Sequence, residues 1–166
     1  MDLDTIKQEM ENWVVNYLDQ PSKYYNNLRP CPFAKEAWFA QKVNLLLGKK
    51  EEVCNQVENW NDDHELIAIV FDEWEGVEEW ADGYNHYAAQ KDLYLMVFDP
   101  TADGPDDPEL LPEKWGAIND DVYGWVFIQR LAKLNRYSQI LEKQGYYRNL
   151  SQDFLEYINT RRSTHG

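Results

Sequence analysis

The stretch with the most chemical content is Arg29-Pro30-Cys31-Pro32-Phe33-Ala34-Lys35. Cysteine is a nucleophile only as its thiolate, and at a reference pKa of about 8.5 only about 3% of a thiol is ionised at pH 7. Pro32 suits the first position of a helical turn, which would aim free amide N–H groups at the Cys31 sulfur. Arg29 and Lys35 would push the thiol the same way, while the acidic excess of the whole chain opposes the shift. Cys31 is thus a candidate nucleophile or ligand anchor, with Lys35 as its electrostatic partner. The competing expectation is structural, because cysteine is among the most buried residue types and Cys-Pro-Phe can simply turn the chain into the core. Spacing alone does not show whether Cys31 meets Cys54. His64, in Asp62-Asp63-His64-Glu65, and His86 lack the short repeated spacing of a zinc signature, so no metal centre is expected. There is no Gly-rich phosphate loop, nucleophile-elbow serine or zincin motif, and no cofactor is implied.

The elements that must position these residues follow from apolar periodicity. Leu3, Ile6, Met10, Trp13, Tyr17 and Leu18 recur at helical spacing, which predicts an N-terminal helix over 3–18 opened by Asp2 and Asp4. Pro21, Asn26-Asn27 and Pro30 interrupt regular structure, so 20–32 reads as a loop. Val43 to Leu47 fits a first strand. Val53, Val57 and Trp60 give a helix over 51–60, closed by Asn61-Asp62-Asp63. Leu66 to Phe71 is an uninterrupted β-branched and aromatic run, the mark of a central strand buried on both faces. Trp74, Val77, Trp80, Ala81, Tyr84, Tyr87 and Ala88 predict a second crossover helix through Gln90, and Leu93 to Phe98 a third strand. After an acidic loop, Phe127, Leu131, Leu134 and Leu141 predict a long helix over 122–144, capped by Asp121 and stopped at Gly145. Ser151 begins a last short helix. The expectation is a single α/β domain over 1–166: a small, mostly parallel three-stranded sheet (β-α-β-α-β) with an N-terminal helix and two C-terminal helices.

Cys-Pro-Phe-Ala looks like the same tetrad in omega-class glutathione transferases. Those thioredoxin-like proteins run a strand straight into the motif and carry a cis-proline before a later strand, and neither feature is readable here. The chain more closely resembles an uncharacterised bacterial family with a Leu-Cys-Pro-Phe-Ala-Lys signature after an N-terminal helix. The similarity lies in Cys31 to Lys35, in the alternation of strands and helices, in Phe98-Asp99-Pro100 closing the third strand, and in Asn119 to Tyr123. The family has His where Asp99 stands and Leu where Pro30 stands. The resemblance implies an α/β fold and nominates positions, but supplies no reaction. In open α/β folds ligands sit at the carboxyl edge of the sheet. A candidate site there combines Cys31, Lys35 and Asp99 as catalytic groups with Asn119 and Tyr123 as ligand contacts. Asp99 would serve as base or cation ligand, Asn119 as hydrogen-bond donor and Tyr123 as a wall with a polar tip. Whether the protein is an enzyme stays open.

Charge sets the rival expectation. Sixteen Lys and Arg stand against 30 Asp and Glu, a formal net charge of -14. Direct nucleic-acid binding is not expected, since phosphate affinity needs clustered cations, and the same sign repels anionic membranes. Such a chain can meet a basic protein partner or mimic nucleic acid, or its charge can serve solvation alone. Glu73, Glu75, Glu78, Glu79 and Asp82 surround Trp74 and Trp80, so the helix there would turn carboxylates outward and tryptophans inward. The segment from Asp99 to Asp121 holds eight acidic residues and four prolines against one Lys114, either a functional loop or a solvated one. The acidic N-terminus lacks the features of a secretory signal, and no apolar run approaches the ~18 residues that span a bilayer. The expected location is the cytoplasm, in which the sequon Asn149-Leu150-Ser151 is a chance match. The expected ligand is a small molecule or a basic protein; oligomeric state is not readable.

Overall fold

The computed structural model describes residues 2–100 and 123–164. Over these residues the fold is α/β, with six α-helices and a four-stranded mixed sheet. Helix α1 (Leu3–Trp13) starts at Asp2, whose carboxylate accepts the Asp4 N–H at 3.1 Å, and it runs into a π-helical turn over Val14–Leu18. A 3-10 turn (Lys23–Tyr25) and a bridge between Ser22 and Leu28 organise the predicted loop. The elements that follow are α2 (Ala34–Phe39), β1 (Val43–Gly48), α3 (Lys50–Glu58), β2 (Leu66–Phe71), α4 (Val77–Gln90) and β3 (Leu93–Phe98). Then come β4 (Gly124–Arg130), α5 (Leu131–Lys143) and α6 (Gln152–Thr164). Ser151 does begin the last helix, its Oγ accepting the Phe154 N–H at 3.2 Å.

Two expectations are corrected. The sheet is neither three-stranded nor mostly parallel: its order is β1-β2-β4-β3, with β1 parallel to β2 and β4 antiparallel to both of its neighbours. The long helix expected over 122–144 is strand in its first part, because 124–130 forms β4 and only 131–143 is helical. Trp125, Val126, Phe127 and Ile128 are all buried, which a one-faced surface helix does not allow but a strand between two neighbours requires. The helix after it is started from afar: the Asp92 carbonyl accepts the Leu131 N–H at 3.1 Å, and the Asp92 carboxylate accepts that of Ala132 at 2.8 Å.

Two apolar layers cover the sheet. Val53 and Val57 of α3 and Val77, Ala81 and Ala88 of α4 pack on Ile67, Ile69, Leu95, Val126 and Ile128. On the opposite face Ile6 and Met10 of α1 cover Ala68, Val70, Trp125 and Phe127. A third cluster, Tyr146, Tyr147 and Ile158, ties the α5–α6 corner to Tyr25 and Leu28. Among the described residues no helix is long and apolar enough to cross a membrane.

Candidate functional site

The Cys31 segment is held at both ends by backbone. Its N–H donates to the Leu18 carbonyl at 3.2 Å, its carbonyl accepts the Ala34 N–H at 3.3 Å, and the Tyr146 hydroxyl donates to the Pro30 carbonyl. Phe33 stacks on Tyr137 of α5 with centroids 4.1 Å apart. Helix α2 starts at Ala34 with Phe33 as its cap residue, so Pro32 lies in the preceding turn. The expected cationic surroundings are spent elsewhere: Arg29 and Lys35 both pair with Asp19, at 3.0 and 3.4 Å. Burial pushes the Cys31 thiol up, and it outweighs the Phe33 and Ala34 amides and the Arg29 charge, which pull the other way. The thiol-lowering expected from the sequence is therefore reversed by desolvation. Cys31 and Cys54 are both free thiols. No cis peptide bond occurs among the described residues.

Asp99 and Tyr123 do reach the carboxyl edge, on opposite faces of the sheet. Phe98 pairs with Trp125 and Phe71 with Gly124, so Asp99 and Tyr123 lie just past the last rungs. Tyr123 shares a hydrogen bond with Glu9 of α1 and meets Trp125 edge to face at 6.3 Å; burial, with Glu9 beside it, pushes its hydroxyl up. Asp99 instead joins the start of α4. Cys31 and Lys35 pack elsewhere, with the π-helical turn, α5 and Tyr146. Asn119, the Asp121 cap and the acidic loop lie outside the described residues.

The structure assembles one group that sequence spacing did not join. An open cleft of about 400 Å³ is lined by Trp74, Glu75, Gly76, Val77, Glu78, Glu79 and Asp99. Gly76 makes the turn into α4 with φ 74°, a left-handed conformation that favours glycine. Trp74 lies across Gly124 and meets Phe71 edge to face at 5.9 Å, forming the floor. Burial first, then the charges of Asp99 and Asp82, raise the Glu78 carboxyl above its ordinary value. None of the six ion pairs among the described residues involves Glu73, Glu75, Glu78, Glu79 or Asp82. The α4 N-terminal dipole offsets part of the charge of Glu78 and Glu79. The inward turn of Trp74 and Trp80, both packed against the core, is as the periodicity predicted. The readable signal for the cleft was that Trp74 to Gly76 and Asp99 both follow the ends of strands. Among the described residues no group of three or more His, Cys, Asp or Glu is arranged to hold a metal ion. Chemically the cleft attracts cations to an aromatic floor. Comparison with family models, curated proteins and solved structures yields no match, and the cleft's own geometry carries the functional reading.

Proposed function

We propose that this protein is a non-catalytic acidic docking protein that receives a Lys- or Arg-rich segment of a partner protein along the start of α4. The observation that carries the reading is the convergence of Glu75, Glu78, Glu79 and Asp99 on one open cleft, where burial and then the charges of Asp99 and Asp82 raise the Glu78 carboxyl above its ordinary value. A cation entering there relieves repulsion that the folded chain otherwise bears, and Trp74 offers a ring face for a guanidinium or ammonium. In this proposal the protein works in the cytosol, and its likeness to the Leu-Cys-Pro-Phe-Ala-Lys family is one of architecture. Cys31 acts chiefly as a structural tie. A second reading, a thiol-dependent small-molecule site at Cys31, is favoured by the Phe33 and Ala34 amides that point at its sulfur, but burial outweighs them.

The test is fluorescence anisotropy with a labelled lysine decapeptide. Three unit charges about 7 Å from a cation in a near-aqueous dielectric are worth roughly 1.8 kcal/mol before salt screening. The triple variant Glu75→Gln, Glu78→Gln, Glu79→Gln should therefore weaken binding about tenfold at low salt. A control of equal net charge, Glu36→Gln, Asp153→Asn, Glu156→Gln, should change it little. Equal losses in the two variants would show that only overall charge attracts the peptide and would refute the assignment.

A further inference from the structure

The two edges of the sheet are not equivalent. At the β3 edge, Asn85 of α4 occupies the outward peptide groups: its side-chain amide donates to the Leu95 carbonyl at 3.0 Å, and its carbonyl oxygen accepts the Leu95 N–H at 2.7 Å. One side chain thus imitates a neighbouring strand and blocks that edge. Among the described residues the β1 edge has no such guard. The Leu66 N–H donates to the Lys42 carbonyl at 3.2 Å, and this parity turns the peptide groups of Asn44, Leu46 and Gly48 toward β2. Those of Val43, Leu45 and Leu47 point away from the sheet. Among the described residues no backbone hydrogen bond outside the β2 ladder reaches the interior of β1.

Side chains around this open edge suit one kind of visitor. Leu47 is 40% exposed and Phe39 56% exposed. Phe39, Trp38, Gln41 and Val43 help line a cleft of about 460 Å³ at the start of the strand. Lysines bracket β1 in this otherwise acidic chain: Lys42 before it, Lys49 and Lys50 after it. Lys42 and Lys49 are about 23 Å apart along an extended chain at roughly 3.3 Å per residue. Flanking lysines would repel a second copy of β1 laid antiparallel, because Lys42 would face Lys49 of the copy. They would hold an extended segment with acidic ends. We propose that β1 is a strand-addition site for a partner peptide that is extended, apolar on alternate residues and acidic at both ends. Its backbone would pair with the outward groups of Val43, Leu45 and Leu47, and an apolar side chain would enter the Trp38–Phe39 cleft. Screening within about 8 Å in physiological salt lets these local lysines act despite the negative whole.

The probe is a labelled decapeptide, six alternating valines and threonines between paired glutamates, compared with the same core between paired glutamines, which the acidic α4 cleft does not attract. At about 50 mM salt the glutamate-ended peptide should bind about tenfold more tightly. Leu47→Pro removes an outward N–H at an exposed edge position, where proline is tolerated, and should abolish binding of both peptides. Should that variant fail to fold, the pair Lys42→Glu and Lys49→Glu decides: it should invert the preference between the peptides. Glu75→Gln with Glu78→Gln should leave it unaltered, which separates this site from the α4 cleft. Equal affinity for the two peptides, or undiminished binding by folded Leu47→Pro, would overturn the proposal. A concentration-dependent dimer in sedimentation that Leu47→Pro abolishes would overturn it in favour of a second copy as occupant.

Discussion

Gly124 is the position where one added methyl group tests both the packing and the site. A Cβ there would lie 1.9 Å from Trp74 Cε3, 2.5 Å from Cζ3 and 2.6 Å from Cδ2. Carbon atoms in contact sit at about 3.5–4.0 Å, so the indole must retreat by roughly 1.5 Å. The backbone is poorly placed to yield, since Gly124 pairs with Phe71 of β2 and the next residue, Trp125, pairs with Phe98 of β3. Trp74 is half-buried against Phe71, which is itself buried, so the ring has a way out only by giving up that contact. Overpacking of this kind costs about 1–3 kcal/mol, and the rigidity on both sides places Gly124→Ala in the upper half of that range, against a strand preference for Ala that works the other way. For a chain of this length the loss corresponds to a fall in Tm of roughly 2–4 °C per kcal/mol. Urea unfolding followed by circular dichroism should show a lower midpoint with an unchanged slope. In a Trp74→Ala background the same substitution should cost less than about 0.5 kcal/mol, because its obstacle is gone, giving a coupling of about 2 kcal/mol. Since Trp74 floors the acidic cleft, Gly124→Ala should also weaken the lysine decapeptide without changing any charge. A Gly124→Ala protein as stable as its parent, or an equal loss in both backgrounds, would refute the reasoning.

Three further outcomes are expected. With Cys54→Ala leaving a single thiol, iodoacetamide should label Cys31 slowly, its rate rising only above the ordinary thiol range, because burial pushes the group up; half-maximal labelling below pH ~8.5 would contradict this. Glu78 is raised above its reference value of 4.5, so the folded chain keeps that proton to higher pH than the unfolded chain. Its contribution to stability therefore falls as pH rises through the raised value and is unfavourable at neutral pH. Glu78→Gln should shrink the difference between urea midpoints at pH 5 and pH 7, and an undiminished difference would assign it to other groups. Arg161 is 5% exposed, donates from Nε to Asn135 Oδ1 at 2.9 Å, and has an Nη2 without a hydrogen-bond partner. Arg161→Met should be neutral or stabilising by up to about 1 kcal/mol, whereas Asn135→Leu, which leaves the guanidinium with less, should cost about 1–3 kcal/mol. Thermal unfolding of both variants checks the sign.

Local pattern settled most of the elements. The bounds of Leu66–Phe71 and Leu93–Phe98 are those of β2 and β3, and the alternation of helix and strand through Gln90 was legible, because burial on one face or two leaves a periodicity within a few residues. Spacing at Phe127, Leu131, Leu134 and Leu141 misled, because the change from strand to helix at Leu131 is capped by Asp92, far away in the chain. Nor does the order of elements reveal that β4 slots between β2 and β3, since a crossover helix spans one strand position or two with equal ease. The candidate site divides the same way. Carboxylates along the start of α4 and the cations beside Cys31 are visible in the residues. Only the fold brings Asp99 to the former, gives Asp19 to the latter and buries the thiol. Sequence alone therefore determined the α/β class, the central strand and the acidic character; tertiary structure decided strand order and the fate of each charge. The physical reason is range: backbone preference and amphipathicity act between near neighbours, whereas desolvation and Coulomb terms depend on whichever distant residues packing sets beside a group.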